Sequence, residues 1–211
     1  FEKGVDDFQH ALELDPDDAF LVAAIGKGAL LTGKFDLAIS QYQAALAMEP
    51  VVPEFYFFLG RAYLIAGRLD EAEASFRKLF ALSPSSGRRF LLWQTLFLKG
   101  EFEAALAESD ADFSRAVIHH ALGNTAEADE ALAAFVENAD PYSIALVFGY
   151  LDEVDKTFEW LDKALENSDF FPTFILTEAA FRSIHADDRW PLLLEKLGLL
   201  NYWLEMTPDG G

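Results

Sequence analysis

The sequence has 211 residues, 52% of them apolar, and its 16 lysine and arginine residues against 36 aspartate and glutamate residues give a formal net charge of −20. The length and apolar share suffice to bury a sizeable core, whereas the negative charge argues against nucleic acid or anionic lipid as a partner, because both need cationic side chains to replace their counterions. The absence of cysteine excludes disulfides, a thiolate nucleophile and a cysteine-based metal site.

The first predicted element is an amphipathic helix over residues 1–15. Phe8 and Pro16 stand 34 residues before Tyr42 and Pro50. Tyr42 lies in the second helix of the next unit, and Pro50 ends that unit. The helix over residues 1–15 is therefore predicted to be the second half of a repeat whose first half is missing. Its uncovered apolar face suggests a homo-oligomer in which a second copy covers it.

The stretch over residues 20–84 contains one pattern written twice with a displacement of 34 residues. The matching positions are Gly26 and Gly60, Gly33 and Gly67, Ala38 and Ala72, Tyr42 and Phe76, and Pro50 and Pro84. A fixed period of this kind indicates units that stack on their neighbours, because no unit can bury its apolar face alone. Helices are predicted over residues 17–32, 35–48, 52–66 and 69–82, with turns at Gly33 and Gly67 and with Gly26, Gly60 and Ala38 as points of close approach.

The pattern weakens after residue 84. Helices are predicted over residues 87–99 and 102–108, but Gln94 replaces the small glycine and Gly100 comes one residue early, so this repeat, over residues 87–110, is degenerate and its second helix is short. Further helices are predicted over residues 112–122, 125–136, 142–150 and 154–165. Asp152 stands where a turn glycine is usual.

The last stretch changes character, because Phe170, Phe171, Pro172 and Phe174 crowd a predicted loop and proline interrupts any helix. Helices are predicted to follow over residues 174–183 and 187–197. The sequence therefore divides into a repeat array over residues 1–168 and a helical cap and tail over residues 169–211.

The unit length and the glycine and proline positions resemble the tetratricopeptide repeat, a pair of antiparallel helices. The resemblance implies an all-α solenoid, a right-handed superhelix of about five helix pairs with capping helices at its C-terminal end. Residues 154–200 are also similar to the end of a bacterial family of such proteins. The residues that carry this similarity are 158–165, Leu193, Leu194, Leu197, Gly198 and Leu199. It implies the interaction or sensory part of a bacterial regulator, since such tails close proteins that begin with winged-helix, adenylate cyclase or protein kinase domains.

In this architecture one face of the first helix of each pair lines a concave groove. The candidate groove residues are Phe20, Ala23, Lys27, Leu30, Phe57, Phe58, Arg61, Leu64, Arg88, Leu91, Leu92 and Leu98. They predict an apolar groove with three basic points, suited to a protein or peptide partner. Two readings stay open here, an open groove that binds a ligand and a tight superhelix in which these side chains pack against neighbouring helices.

No catalytic motif is present, so the chain is predicted to be neither an enzyme nor a cofactor-binding protein. The adjacent His119 and His120 point in different directions on a helix and cannot chelate one metal ion, and the paired carboxylates at helix starts suit the helix dipole rather than acid–base chemistry. A binding scaffold in the cytoplasm, without nucleic-acid or membrane partners, is the leading hypothesis. Its alternatives are a self-assembly module and a small-molecule sensor with a pocket near residues 97–113.

Overall fold

The computed structural model describes residues 17–84, 89–109, 111–166 and 175–207, and every regular element within these ranges is helical. The α-helices are α1 (Ala19–Leu31), α2 (Phe35–Met48), α3 (Pro53–Ile65), α4 (Leu69–Leu82), α5 (Phe90–Leu98), α6 (Phe102–Ala107), α7 (Asp112–Ala121), α8 (Thr125–Val136), α9 (Pro141–Tyr150), α10 (Val154–Glu166), α11 (Arg189–Lys196) and α12 (Leu200–Met206). A 3₁₀ helix spans Ala179–Ile184. The helices from α1 to α10 pack as five consecutive pairs within the described residues, which confirms the predicted solenoid of helix pairs.

Each pair is joined by the same kind of turn. At the end of α1, Gly33 has φ of 73°, its amide donates to the Leu30 carbonyl at 3.3 Å, and the Lys34 amide donates to the Ala29 carbonyl at 2.9 Å. These two hydrogen bonds define a Schellman motif, in which a left-handed residue ends the helix. Asp152 adopts φ of 56° at the end of α9, which confirms that it takes the place of a turn glycine.

Small residues set the distance between paired helices. The buried ring of Phe76 on α4 lies against Gly60 on α3, and a β-carbon at Gly60 would be 2.5 Å from the Phe76 Cε1 atom. Ala38 and Ala72 are also fully buried at equivalent positions of α2 and α4. The close approach predicted from the recurring glycine and alanine is therefore present in both pairs.

The chain divides into two compact units, Phe1–Glu108 and Ser109–Gly211. The division falls at the end of the predicted degenerate repeat, whose second helix, α6, has six residues. Phe90, in this repeat, is 51% exposed. Phe90 is the first residue of α5.

The end of the second unit differs from the predicted pair of helices. A 3₁₀ helix stands in place of the second half of the helix predicted over residues 174–183, and α12 was not predicted. Four fully buried side chains of this region, Phe181, Ile184, Trp190 and Leu194, share a core with residues of α9 and α10. The predicted helix over residues 1–15 and the aromatic loop at 170–174 lie outside the described residues.

Candidate functional site

The predicted groove residues separate into buried and accessible sets. The buried residues are Ala23, Leu30, Leu64, Leu91 and Leu92, each at most 8% exposed. These five pack inside the first unit and offer little surface to a partner. The accessible or half-buried residues are Phe20, Lys27, Phe57, Phe58, Arg61 and Leu98. Arg88 lies outside the described residues.

Four of the accessible residues form one cluster, which we call the basic–aromatic surface: Lys27 on α1, and Phe57, Phe58 and Arg61 on α3. The rings of Phe57 and Phe58 meet edge to face, with centroids 4.9 Å apart. The Lys27 Nζ atom lies 5.5 Å from the Phe58 centroid, and the Arg61 guanidinium carbon lies 5.9 Å from the Phe57 centroid. Each cation is thus held over an aromatic face, an arrangement worth about 0.5–1 kcal/mol at an exposed site.

Tyr42 on α2 supports this surface from below. Its ring stacks on Phe58 with centroids 5.6 Å apart and planes 11° from parallel. Tyr42 is 1% exposed, and its hydroxyl has no hydrogen-bond partner among the described residues. Burial, with a smaller contribution from the charge of Glu54, raises the pKa of Tyr42 above its ordinary range. Phe58 is therefore seated on a neutral, fully packed ring. Sequence reasoning identified Tyr42 as a repeated position that matches Phe76 but missed this supporting role.

The other accessible candidates have different surroundings. Phe20, 63% exposed at the start of α1, packs edge to face on Phe55 at 5.2 Å. Leu98 is half-buried at the end of α5. Within the first unit the structure therefore gathers the cluster at α1 and α3.

The second unit contains a helix face that corresponds to α3, because the ends of the two helices have the same hydrogen bonds. Gly67 and Arg68 amides donate to the Leu64 and Tyr63 carbonyls at 3.2 and 2.9 Å, and Asp152 and Glu153 amides donate to the Gly149 and Phe148 carbonyls at 3.3 and 3.0 Å. Residue 67 thus corresponds to residue 152. By the same register Phe57 corresponds to Tyr142, and Leu64 to Gly149.

On α9 this corresponding face is covered by the 3₁₀ helix. The Phe181 ring meets Tyr142 edge to face, with centroids 5.9 Å apart. The backbone of Ala180 lies so close to Gly149 that a β-carbon there would overlap the Ala180 carbonyl oxygen. The sequence signal for this contact was Gly149 itself, a glycine inside a helix away from the recurring glycine position.

The small-molecule pocket near residues 97–113 remains a prediction. A cavity of about 110 Å³ in the second unit is lined by Asp112, Arg115, Glu127 and Glu130 with two alanines, whereas pockets for small ligands usually reach about 300–1,000 Å³. The described part of the chain contains no cluster of three or more metal-ligating side chains. No helix in that part is long and apolar enough to cross a membrane.

Comparison with known proteins agrees with the helix pairs. Models of the tetratricopeptide repeat match residues 24–87 and 109–134. The crystal structure of YrrB, described as a TPR protein with an unusual peptide-binding site, is 20% identical, covers 85% of this chain and 96% of its own, and superimposes with a TM-score of 0.55. The crystal structure of MamA protein is 22% identical over 90% of this chain and 91% of its own, with a TM-score of 0.42. No curated protein sequence matches the chain significantly.

Proposed function

Because this chain is a tetratricopeptide repeat protein, we propose that it binds a protein or peptide partner on the basic–aromatic surface of its first unit. Proteins built from this repeat generally act as scaffolds that bind protein or peptide partners and have no catalytic activity. We propose both this place of binding and a role that does not include catalysis.

The observation that carries the proposal is the contact between two cations and two half-buried aromatic rings on a chain with a net charge of −20. Aromatic and arginine side chains are the types that contribute most to binding at protein interfaces. The rings of Phe57 and Phe58 are already ordered by their contacts with each other and with Tyr42. A partner that buries them therefore loses little side-chain entropy on binding.

Selection from a displayed library of random peptides tests the proposal. The wild-type chain is compared with a double variant, Phe57→Ala with Arg61→Glu, which removes one ring and reverses one charge of the surface. A matched control, Phe80→Ala with Lys78→Glu, makes the same two changes on α4, where Phe80 is half-buried and Lys78 is exposed. Thermal unfolding confirms that both variants fold.

Peptides that bind the wild-type chain and the control but not the surface variant would support the proposal. Equal enrichment on all three proteins would overturn it, because the binding site would then lie elsewhere. The place of this array in a cytoplasmic bacterial regulator remains a prediction based on the resemblance of residues 154–200. The predicted homo-oligomer interface involves residues 1–15, which lie outside the described residues, and it also remains a prediction.

A further inference from the structure

We infer that the basic–aromatic surface binds a short segment that carries one aromatic side chain and at least one acidic residue, in the manner in which the 3₁₀ helix Ala179–Ile184 covers α9. The inference rests on the proposed function and specifies its partner chemically. It comes from comparing two corresponding helix faces of one chain, of which one is covered and the other accessible.

The covered face shows which side chains such a surface accepts. Phe181 is fully buried and contacts Tyr142, the counterpart of Phe57, edge to face. Ala180, 2% exposed, lies against Gly149. The covering segment is thus a short turn in which a small residue precedes an aromatic one. An edge-to-face ring pair is stabilising beyond the burial of its apolar area.

The accessible face differs from the covered face at three corresponding positions. Phe58 stands where α9 has Ser143, Arg61 where α9 has Leu146, and the buried Leu64 where α9 has Gly149. The Leu64 side chain fills the space that on α9 admits the Ala180 backbone, so the edge-to-face aromatic contact is the part of the covering arrangement that α3 can reproduce.

The charge of the accessible face specifies the second ligand feature. Lys27 and Arg61 place two positive charges beside the rings of Phe57 and Phe58, while α9 has the neutral Leu146 at the position of Arg61. A carboxylate next to the ligand's aromatic residue would be attracted by these positive charges. Such complementarity raises the association rate and selects against basic segments.

Three fluorescent peptides test the inference by anisotropy with the full chain. The first has the sequence of residues 175–186, which includes Glu178 and Phe181. The second carries Phe181→Ala, and the third carries Arg182→Glu, which adds a carboxylate beside the ring. We expect the alanine peptide to bind about tenfold more weakly than the first, the scale of one buried aromatic contact. We expect the Arg182→Glu peptide to bind most tightly of the three. The ratio of its affinity to that of the first peptide should fall as salt is added, because salt screens the charges.

Protein variants assign the binding to the surface. The protein variant Lys27→Glu should weaken the binding of the Arg182→Glu peptide about tenfold, since it replaces an attraction with a repulsion. The protein variant Lys78→Glu has the same change in net charge and should leave binding unchanged. A peptide that instead displaced the protein's own 3₁₀ helix would lose affinity with Tyr142→Ala and not with Lys27→Glu. That result would overturn the inference, as would the absence of binding by all three peptides or equal binding of the first two. If the proposed function holds while this inference fails, the library selection would still enrich peptides that bind the wild-type chain and not the surface variant. The failure of the inference is therefore distinguishable from the failure of the proposed function.

Discussion

A β-carbon built on Gly60 would lie 2.5 Å from the Cε1 atom of Phe76, so the ring of Phe76 occupies the space that any larger residue at position 60 would need. The corresponding contact of the first pair is looser, because a β-carbon on Gly26 would be 3.1 Å from the Tyr42 Cε2 atom. The same repeat position therefore tolerates a methyl group differently in two successive pairs. Sequence alone ranks the two glycines as equal.

We expect Gly60→Ala to lower the free energy of unfolding by about 1–2 kcal/mol, since the fully buried Phe76 ring must shift to admit the methyl group. The crowding cost itself, about 2–3 kcal/mol, exceeds the gain of about 1 kcal/mol that alanine brings to a helix interior. Urea unfolding followed by circular dichroism measures the difference.

Gly26→Ala is the matched control and should change the free energy of unfolding by less than about 0.5 kcal/mol, because crowding and helix propensity nearly offset each other. A double-mutant cycle adds Phe76→Leu, which removes the ring and should remove most of the cost of Gly60→Ala. If Gly60→Ala stabilised the chain, the contact would not limit the packing of α3 on α4.

Lys99 joins the second pair to the turn between α5 and α6. Its Nζ atom lies 2.6 Å from Glu73, 2.9 Å from Asp70 and 3.0 Å from Glu101. Hydrogen bonds to these carboxylates, that to Glu73 first, raise the pKa of Lys99, and the hydrogen bond from Lys99 lowers the pKa of Glu73 below its usual 4.5. We expect Lys99→Met to lower the free energy of unfolding by about 1–2 kcal/mol near pH 7, because three carboxylates then face one another without their cation.

The pH dependence of this loss follows from the lowered pKa of Glu73. The stability that Lys99 contributes is present above about pH 4.5, where the unfolded carboxyl is ionised, and is lost as the pH falls through the lower folded pKa. The difference between wild type and Lys99→Met in the free energy of unfolding should therefore shrink as the pH falls below 4.5. Lys196→Met removes an exposed pair with Asp162 and should cost less than about 0.5 kcal/mol. Equal losses for the two variants would show that the Lys99 network is ordinary surface pairing.

The repeat period and the turn residues predicted most of the fold, because both follow from local rules. Helices over 35–48, 69–82 and 125–136 have the predicted bounds, since glycine turns and proline ends mark them directly. The tail was predicted less well. There the 3₁₀ helix is held by contacts of Ala180 and Phe181 with α9, and contacts so distant in sequence leave no periodic signal.

The candidate surface was predicted only in part. Helical spacing identifies the face on which Phe57, Phe58 and Arg61 lie, but spacing cannot distinguish half-buried from buried members of that face. Leu91 and Leu92 were predicted beside them and are each 3% exposed. Their burial depends on how neighbouring helices pack within the unit, and that is a tertiary property.

His185 makes the second unit sensitive to acid. Its ring lies between Trp190 and Trp203, with centroid distances of 4.6 and 4.5 Å. Burial, aided by the charge of Arg182, lowers the pKa of His185 to about 4 from 6.5. The unfolded chain therefore binds a proton between pH 6.5 and 4 that the folded chain excludes, and stability falls as the pH is lowered through this window.

Between pH 7 and pH 5, we expect the free energy of unfolding to fall by about 1 kcal/mol more in the wild-type chain than in His185→Phe. This value is reduced from the full effect of the pKa shift because the ring is only half-buried. Tryptophan fluorescence during thermal unfolding follows the change. His120→Phe, at an exposed position of α7, should retain the wild-type pH dependence. An equal loss of stability in wild type and His185→Phe would show that carboxylates cause the acid sensitivity instead.

Gly67 and Asp152 occupy the same turn position with φ of 73° and 56°, and a substitution at each position isolates the backbone contribution. A β-carbon on Gly67 would have no neighbour within 4 Å, so Gly67→Ala should lower the free energy of unfolding by about 1 kcal/mol through left-handed backbone strain alone. Asp152→Gly should raise it by about 0.5 kcal/mol, less than the strain relieved, because glycine increases the entropy of the unfolded chain. Chemical denaturation of the two variants measures both signs. If Asp152→Gly were destabilising, side-chain interactions of Asp152 would outweigh its strained backbone, and the aspartate would itself be a stabilising turn residue.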